Sequence, residues 1–314
     1  MRMKIKRYSY WFAALLFAGC SADGSDKPFV PGEPMSLTIN LANDATTRSF
    51  ANPDGLVFVN SNKSSVTKSY TYESSSNSFV SENPLVWLDK TMTLTGFFYR
   101  INGIADQLTF LYTVDASKNQ TSYCAGQTTV TYPNNVSLEL RQQLAKIEIT
   151  VTADDGTGTV QTNPKLGGGM LYMTGTFDPS TFNANGYATG GTDGTGWNPS
   201  TNTDKKTINM KKVSDANGVY KYSAVILPQK ITDTSTPFFT VDIGPTTSTV
   251  LTTAKYKLSS ATTFKAGYTY TLNVDNVTNT LFIESGILVD DFTGFDANRR
   301  AVTDVREQKW TTTI

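Results

Sequence analysis

Residues 264–274 read FKAGYTYTLNV, and their last seven positions decide the fold class. Tyr268, Tyr270, Leu272 and Val274 alternate with Thr269, Thr271 and Asn273. An apolar residue at every second position gives a strand one buried face and one wet face. A helix would place such residues three and four apart. The same period spreads outward along the chain. It returns at Ile147, Ile149 and Val151, at Leu108, Phe110, Tyr112 and Val114, and at Met35, Leu37, Ile39 and Leu41. Leu56 to Val59, Tyr70 to Tyr72 and Leu85 to Leu88 read as shorter strands. Turn clusters separate them: NPDG at 52–55, ADDGTG at 153–158 and DANG at 215–218. Short strands joined by Gly, Asn and Asp turns predict an all-β chain built as a β-sandwich, not a parallel α/β sheet. The best helical candidate, Val136 to Ala145, is about three turns long.

Composition agrees. The 314 residues include 48 Thr, 15 Tyr and 17 Phe. β-Branched and aromatic side chains suit a pleated, half-buried surface. At roughly 150 residues per domain, the length suggests two domains. Charged residues make up 17% of the chain, too few for a disordered polyelectrolyte. The chain has no His. That removes Ser-His-Asp and Cys-His catalysis, HExxH zinc sites and His metal triads together.

The N-terminus, MRMKIKRYSYWFAALLFAGC, reads as an address. Arg2, Lys4, Lys6 and Arg7 form a basic region, and Trp11 to Ala18 an apolar stretch shorter than the ~20 residues a bilayer needs. Ala18 and Gly19 precede Cys20. Residues 1–19 thus resemble a bacterial lipoprotein signal peptide, with Cys20 as the lipidated first residue of the mature chain. The usual Leu three places before the Cys is Phe17 here, with Leu16 one place earlier. Loss of the four bases leaves 23 basic against 27 acidic residues, a net of −4. No basic patch for nucleic acid is implied. The following SADGSDKPFVPGEP reads as a flexible tether, and its acids also resemble the surface-export signals of Bacteroidota lipoproteins. With Cys20 lipidated, Cys124 has no disulfide partner within the chain and reads as a small strand or turn residue.

Two regions break the strand rhythm. Residues 183–206, rich in Gly, Thr and Asn, read as a long exposed loop carrying Trp197. The composition shift at 153–169 is the expected domain joint, and the strand just before it, KIEITVT, could belong to either side. Gly167-Gly168-Gly169 inside it reads as a flexible turn; no phosphate-binding Lys accompanies it. No calcium-loop pattern occurs. The acid pairs Asp154-Asp155 and Asp290-Asp291 and the basic pair Arg299-Arg300 read as solvated turn residues. Trp87, Trp197 and Trp310 are candidate sugar-stacking platforms, with a core position the default for Trp87. No catalytic residue, metal site or cofactor is expected, and the chain reads as a non-enzyme.

Four features together resemble the fimbrillin family of Bacteroidota, the subunits of their surface pili. They are the lipoprotein signal ending at Cys20; TTRSF at 46–50; LVWLDKTMTLTGFFYR at 85–100 followed by RQQLAKIEITV at 141–151; and YKYSAVILPQ at 220–229 followed by FFTVDI at 238–243 and FKAGYTYTLNV at 264–274. The LPQ followed by aromatic-x-x-G-x-x-Y is the most specific element. The family's "LAKI" strand typically has a His ahead of it; Gln142 and Gln143 stand there instead.

The resemblance implies two transthyretin-like β-sandwich domains, 49–152 and 153–314, behind a tether and propeptide strand at 20–48. It implies export to the outer membrane as a lipoprotein, then a cut by an Arg-specific protease. The bond that fits is Arg48–Ser49. The released piece would carry the stripe Met35, Leu37, Ile39 and Leu41. The resemblance further implies that a neighbouring subunit's C-terminal segment, here 285–314, fills the vacated place. Ile287 and Val289, or Trp310 and Ile314, are its candidate donor residues. The expected partners are other fimbrial subunits, and the expected location is the outer membrane and then the fimbria. Two other readings compete: a lipid-anchored glycan-binding protein of a polysaccharide-uptake system, and a secreted hydrolase.

Overall fold

The alternating segments at 37–41, 109–111, 147–151 and 268–274 are strands in the structure, a computed structural model that describes residues 27–41, 56–99 except 74 and 77, 109–111, 123–152, 160–200, 205–275 except 217, and 280–288. The first part holds β1 (Leu37–Leu41), β2 (Leu56–Ser61), β3 (Ser64–Glu73), β4 (Ser78–Val80), β5 (Thr91–Tyr99), β6 (Thr109–Leu111), β7 (Tyr123–Thr131) and β8 (Val136–Gln142). The second part holds β9 (Ala145–Thr152), β10 (Val160–Tyr172), β11 (Thr174–Phe177), β12 (Trp197–Pro199), β13 (Lys205–Asn209), β14 (Lys211–Ala216) and β15 (Val219–Ile226). It continues with β16 (Gln229–Ile231), β17 (Pro237–Gly244), β18 (Thr252–Leu258), β19 (Thr262–Phe264), β20 (Tyr268–Asp275) and β21 (Thr280–Leu288).

Seven strands form a first sheet in the order β1-β8-β7-β5-β2-β3-β4. Its two edge strands, β1 and β4, come close to one another, so the sheet curls over its own core. That core contains Val57, Val59, Tyr70, Leu94, Phe98 and Leu138. Nine strands form the second sheet, β13-β10-β17-β18-β21-β20-β9-β15-β14. β18 and β21 share only the pairs Lys257↔Thr280 and Leu258↔Leu281. The sheet folds over at that corner. Tyr222 of β15 thereby meets Phe239 of β17, with ring centres 5.8 Å apart, and its hydroxyl donates to Gln161 Oε1 of β10 at 3.0 Å. Two layers facing across a shared apolar core make a β-sandwich.

Four sequence expectations are corrected here. Val136 to Ala145 is not helical. Val136, Leu138 and Leu140 are buried while Ser137 and Glu139 are exposed, so the segment is β8 and the start of β9. Leu85 to Leu88 is not a strand; Val86 makes a single bridge to Pro34. The joint does not fall at 152/153. β9 pairs along its length with β15 and β20 of the second sheet, and Ala145, Ile147, Ile149 and Val151 face the second core. The chain changes sheets at Gln143–Leu144 instead. Finally, Gly167-Gly168-Gly169 lies inside β10, where the register with β13 slips between Leu166 and Leu171. All three have positive φ, and a Cβ on Gly168 would stand 2.1 Å from the Pro237 carbonyl oxygen. This is a bulge that other residues would strain.

Candidate acceptor groove on the first sheet

β1 is an edge strand held on one side. It runs parallel to β8, with Leu37 opposite Val136, Ile39 opposite Leu138 and Leu41 opposite Leu140. β4 lies on the other side without pairing to it. Met35 and Ile39 are buried, and Leu37 and Leu41 are half-buried. All four pack on the first core. The outer face, Thr38 and Asn40, is exposed, and Asn40 Nδ2 donates to Ser137 Oγ at 3.1 Å. At ~25 cal/mol per Å² of apolar surface, such a stripe contributes several kcal/mol. Without β1, one edge of β8 would lose its backbone partners and an apolar slot would open between β8 and β4.

The chain ahead of β1 is also held. Gly32 N donates to Trp87 O at 2.8 Å, Trp87 N to Glu33 O at 2.9 Å, Met35 N to Leu85 O at 2.9 Å, and Val136 N to Ser36 O at 3.0 Å. Tyr132 OH donates to Glu33 Oε2 at 2.7 Å, and Lys27 Nζ donates to Glu33 Oε1. The Lys27 and Tyr132 bonds hold the Glu33 carboxyl below its usual range. The Tyr132 ring meets Phe29 at 5.3 Å and Trp87 at 5.5 Å, both edge to face. Residues 27–34 are therefore docked on the first sheet rather than forming a tether. Sequence reading missed this contact, because Pro and Gly in FVPGEP signal flexibility and its partners lie far along the chain.

Other predicted positions scatter. Trp197 is not on an exposed loop. It is fully buried, its ring 5.0 Å from Tyr123 and 5.2 Å from Phe177, and its Nε1 donates to Gln143 O at 2.8 Å. The loop around it turns inward because Gln143 anchors it: Nε2 lies 3.1 Å from Gly186 O, and Oε1 accepts Ala188 N at 3.0 Å. Trp87 is buried too. Neither indole is a sugar platform. Ile287 sits in β21, opposite Thr269 of β20, so it occupies a place in its own sheet. Cys124 is half-buried in β7. Cys20, Arg48, Ser49, Val289, Trp310 and Ile314 lie outside the described residues, as do the paired acids and Arg299-Arg300. Among the described residues, no group of three or more acidic or Cys side chains could hold a metal ion, and no helix is long and apolar enough to cross a membrane.

The shared motif residues have structural work. Gln229 of the LPQ is buried; its Oε1 accepts Tyr172 N at 2.9 Å and its Nε2 donates to Leu227 O at 3.0 Å. Gly267 has φ +76°, and a Cβ there would stand 2.0 Å from the Tyr187 ring. Its N–H donates to Leu144 O at 2.8 Å, at the change of sheets. Tyr270 OH accepts Lys265 N at 2.7 Å.

A family model described as fimbrillin-like matches residues 39–288. The chain belongs to the fimbrillin-like family. Its membership makes it a fimbrial protein of the cell surface. Among solved structures, this fimbrillin-like chain is similar to a candidate cell adhesion protein from Bacteroides ovatus, at 15% identity and a TM-score of 0.51, covering 83% of this chain and 98% of that one. It is also similar to a fimbrial assembly protein from Parabacteroides distasonis (12%, TM-score 0.44, 82% and 94%) and to candidate polysaccharide binding proteins from Bacteroides thetaiotaomicron (9%, TM-score 0.34, 77% and 92%). Of these three, only the first is alike enough to speak to the fold, and it speaks to the fold alone. No curated protein matches the chain.

Proposed function

We propose that this fimbrillin-like chain is a structural subunit of a surface fimbria, assembled by protease-triggered strand exchange, and contributes to adhesion. It is exported as a lipoprotein on Cys20 and cut at Arg48–Ser49. The cut severs the N-terminal segment that carries β1 from the rest of the chain. A strand from a neighbouring subunit then fills the slot between β8 and β4 by β-augmentation. Head-to-tail filling of this kind does not close on itself and builds a filament.

The observation that carries the reading is the placement of β1. It is an N-terminal edge strand, paired on one side only, that buries an apolar stripe in the core of the first sheet. The bond proposed for cleavage follows it by a few residues. Ile287 is a poor donor, because β21 would first have to leave β20. The end of the chain, Trp310 to Ile314, is the better candidate. Deleting residues 310–314 should abolish the ladder of polymers on gels of unboiled surface material. A normal ladder would place the donor elsewhere.

A further inference from the structure

The N-terminal segment is gripped twice, and the second grip gives strand exchange a step that cleavage alone does not supply. The inference rests on the proposed cut at Arg48–Ser49. We propose that the Trp87–Tyr132 corner, together with β8, is a peptide-binding site that keeps residues 27–41 on the protein after the cut. Cleavage and release are then separate events, and the incoming strand displaces a bound peptide instead of entering an empty slot.

The geometry supports this as follows. The cut removes one covalent link downstream of β1 and no contact described for residues 27–41. Along β1 the segment keeps five register pairs with β8, from Leu37↔Val136 to Leu41↔Leu140. Ahead of β1 it keeps the three backbone bonds that join Gly32, Glu33 and Met35 to Trp87 and Leu85. It also keeps the carboxylate of Glu33 on the Tyr132 hydroxyl and the Phe29 ring on the Tyr132 ring. Pro34 bridges Val86 in the antiparallel sense, whereas β1 lies parallel to β8. The peptide is therefore held by two different parts of the body at once. Opening either part leaves the other closed, so spontaneous loss requires both to open together. A donor strand that replaces β1 on β8 competes for only one of them.

The site recognises an aromatic ring followed four residues later by a carboxylate, with a glycine between. Phe29, Gly32 and Glu33 supply these. Gly32 has φ +84°, which lets the chain turn its N–H toward Trp87 O. The hydroxyl of Tyr132 is the charge-sensing element, since it donates to an ionised group.

The test uses the full chain with a site-specific protease sequence placed across residues 43–48. After cutting, native gel filtration follows the small fragment against time. The expected result is that the fragment co-elutes with the body. It should leave about tenfold to a hundredfold faster in Tyr132→Phe and in Glu33→Gln, the range for losing one charge-assisted hydrogen bond. Tyr132→Phe keeps the ring packing. Glu33→Gln lies on the fragment, so it leaves the body unaltered. A wild-type fragment that separates at once, or variants that hold it as long as wild type, would overturn the proposal. Filament formation is scored separately. A chain that keeps its fragment yet never polymerises with added subunits speaks against strand exchange and for the clasp. A chain that polymerises on cutting but loses its fragment at once sinks the clasp alone.

Discussion

Gln143 ties three parts of the molecule together through one side chain and one peptide unit. Its Nε2 has the carbonyls of Ala125, Arg141 and Gly186 within 3.1 Å, its Oε1 accepts Ala188 N, and its backbone oxygen accepts the Trp197 indole. It is fully buried at the point where the chain changes sheets. Gln143→Ala would leave several buried donors and acceptors without partners, at about 1–3 kcal/mol for each group fully orphaned. The expected outcome is a loss of roughly 2–4 kcal/mol in denaturant unfolding, with new proteolytic nicking in 183–197. A loss below about 0.5 kcal/mol, the size of an ordinary surface change, would contradict the anchoring role. None of this was legible in the sequence. A Gln ahead of a strand carries no local sign of burial, and a Gly- and Thr-rich loop reads as wet. Only the fold brings the amide to backbone groups 43 and 45 residues away.

At the scale of elements, β20 and β1 were legible because their alternation has one interpretation. β8 was not. Val136, Leu140 and Leu144 are spaced by four, as on a helix, while Val136, Leu138 and Leu140 are spaced by two. Pairing with β1 and β7 selects the second period, and local sequence cannot report that choice. The domain joint was misplaced for a related reason. β9 looks like its predecessor in composition, and only its ladder with β15 and β20 assigns it to the second sheet. The stripe from Met35 to Leu41 stood out in the sequence; the docking of residues 29–35 against Leu85, Trp87 and Tyr132 did not. Ile39→Ala should loosen β1 by about 2–5 kcal/mol, the usual range for this truncation in a core. Hydrogen exchange should then speed up at β8 amides facing β1 and stay unchanged in β9. Equal acceleration in both strands would mean that the two sheets open as one unit and that β1 is not separable.

At the scale of the whole molecule, the fimbrillin-like chain is two β layers systems joined by a packed seam. Phe97 and Tyr123 of the first sheet share a core with Phe177, Trp197 and Tyr187 of the second part. β1 lies at an edge of the first sheet, beside β8. The proposal stands on the cut at Arg48–Ser49 and on the replacement of β1 in the assembled subunit. The most direct measurement is the N-terminal sequence of subunits in washed, sheared fimbriae. Ser49 as the first residue is the expected result. Assembled subunits that begin at Cys20 and keep residues 27–41 covalently attached would contradict it.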